Sequence, residues 1–131
     1  MLLLDTCTLV WLDSDPALLS ATARQEIGNQ ARSLFVSSVS ALELAIKIRK
    51  GKLTLPMPLE TWFPGVLAAH GIEEMVVDWR DWRVSAATGA LPLLHSDPFD
   101  RIIIATAKLN NQSIVTPDQL IRAYSDVPVV W

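Results

Sequence analysis

Three consecutive leucines, Leu2-Leu3-Leu4, run directly into a carboxylate at Asp5. A strand turns successive side chains to opposite faces, so an unbroken apolar triplet predicts a strand buried on both sides. Leu34-Phe35-Val36 repeats the pattern, and Ser113 to Thr116 and Val127 to Trp131 read as further short strands. Ile72 to Val77 alternates weakly and begins and ends on β-branched residues, so it reads as a strand too. Strands covered on both faces belong to parallel sheets, whose crossover connections lay helices over each side.

Helices are predicted in the intervals. Ser20 to Gly28 forms a short polar helix with a serine cap, and Val39 to Lys50 a longer one closed by Gly51. Leu59 to His70 reads as a helix ended by Gly71, with Pro64-Gly65 expected to kink or split it. Trp79 to Thr88 follows, ended by Gly89. Pro98 to Asn110 is the clearest: Asp97 caps it, Pro98 takes the first turn and Asn110-Asn111 stops it. A short helix begins near Asp118. The alternation predicts one α/β domain over residues 1–131, a three-layer α/β/α sandwich with a central parallel sheet.

Other classes are excluded by simpler counts. Half of the residues are hydrophobic and 19% are charged, which is no composition for a disordered chain. The single cysteine, Cys7, forms no intramolecular disulfide and suits a reducing, cytoplasmic setting. The run MLLLDTCTLVWL resembles a leader but lacks a basic start and is broken by Asp5. No stretch reaches the roughly 18 apolar residues that a membrane span needs. The net charge of −3 speaks against a general nucleic-acid coat, although four of the six residues from Lys47 to Lys52 are basic.

Function in open α/β sheets gathers beyond the carboxyl ends of the strands. Asp5 follows the first strand, Asp118 follows the strand ending at Thr116, and Glu43 and Asp100 lie in the early turns of helices. Each acid alone has a plain structural reading. Ser40-Ala41-Leu42-Glu43 matches a capping box, and Glu43 can pair with Lys47 one turn on. Asp100 complements a helix dipole, while Asp118 and Asp5 are apt turn or cap residues. Asp5 is the hardest to explain so, because a charge at the end of a central strand needs a partner and no Lys or Arg is near in sequence. A divalent cation would serve all four acids, and oxygen ligands without a His or Cys cluster point to Mg²⁺ or Mn²⁺. His95 reads as a loop or surface residue and Cys7 as core.

These residues resemble a known family. LLLDTCTLVW is similar to the N-terminal aspartate motif of PIN domains, and SSVSALELAIKIRKGK, residues 37–52, to the segment that carries their glutamate. HSDPFDRIIIATA, residues 95–107, resembles a signature of one subgroup of VapC-type ribonuclease toxins, as does the ending around Ile114-Val115-Thr116-Pro117-Asp118. The resemblance spans nearly the whole chain. It implies that Asp5, Glu43, Asp100 and Asp118 are the catalytic and metal-binding quartet. Asp100 is preferred to Asp97 for the third place, Asp97 being left as a cap or an auxiliary acid. Lys47, Arg49, Lys50 and Arg101 would guide the RNA backbone.

The activity implied is Mg²⁺- or Mn²⁺-dependent cleavage of single-stranded or loop RNA. The resemblance also implies a VapB-type antitoxin partner and a homodimer. Two rival readings stand beside it. One is a phosphotransfer domain, which wants a lysine after a late strand where this chain has Thr116-Pro117-Asp118. The other is a PIN-like binding module that has lost activity.

Overall fold

The computed structural model describes all residues from Met1 to Trp131. Five strands form one sheet: β1 (Leu2–Leu4), β2 (Leu34–Ser37), β3 (Ile72–Met75), β4 (Ser113–Val115) and β5 (Val129–Val130). Every neighbouring pair is parallel, in the spatial order β3-β2-β1-β4-β5. The registers align Leu2, Leu3 and Leu4 with Leu34, Phe35 and Val36 on one side and with Ser113, Ile114 and Val115 on the other.

Seven helices connect and cover the sheet: α1 (Thr6–Ser14), α2 (Ala21–Gly28), α3 (Ser38–Arg49), α4 (Leu59–His70), α5 (Trp82–Ala90), α6 (Pro98–Leu109) and α7 (Gln119–Arg122). The alternation of the strands divides the interior in two. Leu2, Leu4, Leu34, Val36 and Val115 face a core completed by Leu9, Leu44, Trp62, Phe63 and Val66 from α1, α3 and α4. Leu3 and Ile114 face the other way, onto Ile103, Ile104, Ala107, Ile121 and Tyr124 from α6, α7 and the segment after it. The α/β/α sandwich with a central parallel sheet is therefore the fold observed.

The element boundaries shift from expectation for local reasons. Helix α4 runs unbroken through Pro64 rather than splitting there. Its buried face, Trp62, Phe63, Val66 and Leu67, spans the proline, so packing against the sheet outweighs the one backbone bond lost. Gly71 ends this helix with φ of 64°, a left-handed geometry that costs glycine little. Helix α5 starts at Trp82 instead of Trp79 because Asp81 caps it, while Asp78-Trp79-Arg80 forms a separate turn. The final strand contracts to Val129–Val130.

Topology fixes where a site can form. From β1 the chain proceeds outward to β2 and β3, then returns to lay β4 and β5 on the opposite side. The order reverses between β1 and β4, and open parallel sheets carry their crevice at such a point, beyond the carboxyl ends. Asp5 follows β1 there, and Thr116 and Asp118 follow β4.

Candidate active site

Asp5 leaves β1 and at once caps α1. Its Oδ1 accepts the Thr8 backbone N–H at 2.9 Å, and its Oδ2 accepts a bond from the Thr116 hydroxyl. The residue is 4% exposed, yet it has no Lys, Arg or His within ion-pair distance. Burial raises its pKa, with the Thr116, Thr8 and Cys7 hydrogen bonds only partly opposing this. No Lys or Arg is close to Asp5 in sequence, and none pairs with it in the fold either.

Glu43 does not close the capping box that its spacing suggests. Ser37 caps α3 instead, accepting from the Val39 N–H at 3.2 Å. Glu43 turns toward α1, where its Oε1 accepts from the Thr6 hydroxyl at 2.7 Å, and its Oε2 lies 2.9 Å from Lys47 Nζ. Thr6 also lies 2.9 Å from Ser40 Oγ, so α1 and α3 are stitched together beside Asp5. Burial disfavours the Lys47 charge, but the Glu43 bond and the charges of Glu43 and Asp100 outweigh it and raise the lysine's pKa.

Asp100 stands in the first turn of α6 and Asp118 is the N-cap of α7. Between them lies His95, whose Nε2 is 2.9 Å from Asp100 Oδ2 and 3.3 Å from Asp118 Oδ2. Ligand atoms of His95, Asp100 and Asp118 all fall within 4.8 Å of one another; Asp5 and Glu43 stand outside that set. Burial pushes the Asp100 carboxyl up to about 7, reinforced by the negative charges of Asp97, Glu43 and Asp5 and opposed by His95. Thr116 closes the circuit, because its hydroxyl donates to Asp5 and accepts the Asp118 N–H at 3.0 Å. The structure thus brings Asp100 and Asp118 together around His95 and links Asp5 to Asp118 through Thr116, while Glu43 stands apart with Thr6 and Lys47.

Several placements depart from the sequence reading. His95, read as a loop or surface residue, is 8% exposed and central. It could not be recognised because its partners lie five and 23 residues away on two different helices. Thr6 and Thr116 were missed as well; their only signal is adjacency, one residue after Asp5 and two before Asp118. Asp97 does cap α6, accepting the Phe99 and Asp100 N–H groups at 2.8 and 3.4 Å. Arg101, expected on the RNA path, is turned inward, its guanidinium donating to the carbonyls of Thr88, Leu91, Pro92 and His95. Arg49 and Lys50 are exposed and lie in no ion pair, while Lys47, Lys50 and Lys52 line a pocket with Glu43, Asp97 and Phe99.

Cys7 is half-buried 3.4 Å from Asp5 Oδ1, and burial together with the neighbouring carboxylate drives its pKa well above the ordinary thiol range. That is the wrong direction for a nucleophile. The site offers instead several carboxylates, and the charges of Asp97, Glu43 and Asp5 add to the burial that raises the Asp100 pKa. Such a set fits a hard divalent cation, with Asp5 and Asp100 the acids least able to stay ionised without one.

Comparison with known proteins agrees with this reading of the fold. The family model described as "PIN domain" matches residues 2–127. Ribonuclease VapC22 of Mycobacterium tuberculosis (strain ATCC 25618 / H37Rv) is 32% identical over 123 residues, covering 93% of this chain and 90% of the relative. Among solved structures, that of FitAB bound to an IR36 DNA fragment superposes with a TM-score of 0.61 at 18% identity, over 98% of this chain and 93% of the other. The crystal structure of FitAcB from Neisseria gonorrhoeae gives 0.59 at 20% identity, over 98% and 96%. These two likenesses speak for the fold alone.

Proposed function

The chain belongs to the PIN-domain family, and from that premise we propose that it is a VapC-type, divalent-metal-dependent endoribonuclease toxin. The observation that carries the proposal is Asp5, a buried carboxylate without a basic partner, joined through Thr116 to Asp118 and near enough for its charge to raise the Asp100 pKa. Asp5 is held by neutral donors alone, and the charges of Asp97, Glu43 and Asp5 add to burial in raising the Asp100 pKa, so a cation would relieve both. When bound, Mg²⁺ or Mn²⁺ would supply Lewis acidity, polarising a phosphodiester and lowering the pKa of water.

In this reading Asp5 and Asp100 would hold the cation directly. Glu43 and Asp118 would hold it through water or orient the attacking water, and Lys47 balances part of the Glu43 charge at 2.9 Å. Thr116 and the Thr8 N–H keep Asp5 aimed without adding charge. Lys47, Lys50 and Arg49 would steer the RNA backbone toward the acids. Asp97 keeps its capping role beside the site. Single-stranded or loop RNA, which the family resemblance implies, is the substrate proposed.

The name of the curated relative, Ribonuclease VapC22, supports the ribonuclease activity, and a neutralising VapB-type antitoxin is proposed from the family resemblance. A homodimer is proposed on the same footing. No helix is long and apolar enough to cross a membrane, which agrees with a cytoplasmic site of action. The test is brief induction of wild type, Asp5→Asn and Asp100→Asn chains followed by sequencing of RNA cut ends. Wild type should arrest growth and generate discrete cuts, and both variants should do neither. Unchanged toxicity in both variants refutes the assignment of the acids, and arrest without new RNA ends refutes the ribonuclease reading.

A further inference from the structure

Arg101 makes an unusual number of contacts for a residue beside an acidic centre. Its Nη1 lies 3.0 Å from the Pro92 carbonyl, 3.2 Å from that of His95 and 3.4 Å from the Tyr124 hydroxyl. Its Nη2 lies 2.9 Å from the Thr88 carbonyl and 3.3 Å from that of Leu91. Tyr124, 2% exposed, donates its hydroxyl to the Pro92 carbonyl at 2.8 Å and accepts the His95 N–H at 3.1 Å. One guanidinium and one phenol thus fasten the whole connection between α5 and α6. The backbone of His95 is gripped at both its N–H and its carbonyl.

The ring of His95 is oriented as firmly as its backbone. The Asp97 N–H points at Nδ1 from 3.3 Å, so Nδ1 is assigned as the acceptor and the ring proton sits on Nε2. Nε2 is then a donor facing Asp100 at 2.9 Å and Asp118 at 3.3 Å, and it has no lone pair to offer a cation. A histidine so placed bridges the two carboxylates. Groups that hold ligands from behind in this way are worth about 10–100-fold in metal affinity.

We infer that His95 is a positioning residue of the acidic centre, holding Asp100 and Asp118 at ligand spacing, and that Arg101 and Tyr124 are the strut that holds His95. The inference rests on the metal-centre reading above and adds to it. It gives Arg101 a task away from the RNA, and it makes the loop before α6 part of the site rather than a connection.

Mn²⁺ titration calorimetry on the full chain tests it, with RNA cleavage measured in parallel on wild type and the variants His95→Gln, His95→Ala, Tyr124→Phe and Asp100→Asn. Glutamine can set an N–H donor near the Nε2 position, so His95→Gln should bind Mn²⁺ within about threefold of wild type, whereas His95→Ala should lose about 10–100-fold. Tyr124→Phe keeps its ring packing and loses only the hydroxyl; it should lose several-fold, in the same direction as His95→Ala. Far-UV circular dichroism checks that each variant is folded, and the His95→Gln rescue separates positioning from general destabilisation. Wild-type affinity in folded His95→Ala overturns the inference. So does a His95→Gln affinity as poor as that of His95→Ala, which would make the ring nitrogen itself a ligand. Wild-type affinity in Tyr124→Phe overturns the strut. Asp100→Asn reports on the underlying reading: if it too binds Mn²⁺ normally, the acidic centre has been misassigned and the failure lies there.

Discussion

Replacing Asp100 by asparagine should stabilise the metal-free protein, increasingly so as pH rises. In the fold the Asp100 carboxyl is raised from 3.8 to about 7, by burial first and then by the charges of Asp97, Glu43 and Asp5. The unfolded chain gives up this proton near 3.8 while the folded chain keeps it to about 7. The group therefore leaves stability untouched below 3.8 and subtracts from it progressively until pH passes about 7. At about 1.4 kcal/mol for each tenfold change, the full deficit at pH 8 is roughly 4 kcal/mol, and less than half of that has accrued by pH 5. Asparagine removes the titration but also the Asp100–His95 pair, which offsets part of the gain. The difference in unfolding free energy between variant and wild type should accordingly shift by about 1–3 kcal/mol in the variant's favour from pH 5 to pH 8. Urea unfolding in EDTA at four pH values across that range measures it. Adding Mn²⁺ at about one hundred times its Kd should then stabilise wild type by about 2.7 kcal/mol and the variant by much less. A stability difference that stays flat, or shrinks as pH rises, refutes the reasoning.

Three further outcomes are expected. Asp97→Asn should retain substantial RNA cleavage, because asparagine caps a helix about as well as aspartate and the Phe99 N–H keeps its acceptor; complete loss would make Asp97 a ligand. Thr116→Val, nearly isosteric, strips a donor from Asp5 and strands the Asp118 N–H, so it should cost about 1–3 kcal/mol in urea melts and reduce cleavage sharply. Cys7→Ser should leave cleavage within about threefold of wild type, and the native thiol should react slowly with a disulfide reagent at pH 8, since a raised pKa keeps it protonated.

The parts of this molecule that local chemistry determines could be read from sequence. Leu2-Leu3-Leu4 needs only the two-residue period of a strand to announce a doubly buried position, and Asp97-Pro98 needs only helix-end chemistry to open α6. Where local rules offer equal choices, reading failed. The tandem Asp78-Trp79-Arg80 and Asp81-Trp82-Arg83 present two identical helix starts, and each aspartate accepts the N–H two residues on. The helix begins at the second, where α5 can lie against α6, and nothing local distinguishes the two. The acids were legible because each follows a strand end or opens a helix near one. His95 was not, since its meaning depends on Asp118 and Tyr124, 23 and 29 residues further along.

Arg101 shows how the crevice stays negative. It is the strongest cation close in sequence to Asp100, and an ion pair between them would lower the Asp100 pKa and satisfy the buried charge at once. The fold forbids that pairing by surrounding the guanidinium with four carbonyls and a phenol on the far side. Asp5 is treated alike, receiving hydroxyl and backbone donors that orient it without neutralising it. Lys47 is the exception, and it answers Glu43 from a side chain still 41% exposed, where solvent weakens the pair. A centre built for stability would have used Arg101 on Asp100. On the proposed reading, a centre that receives a cation must hold its own cations back, and the raised Asp100 pKa is the stability it gives up to do so.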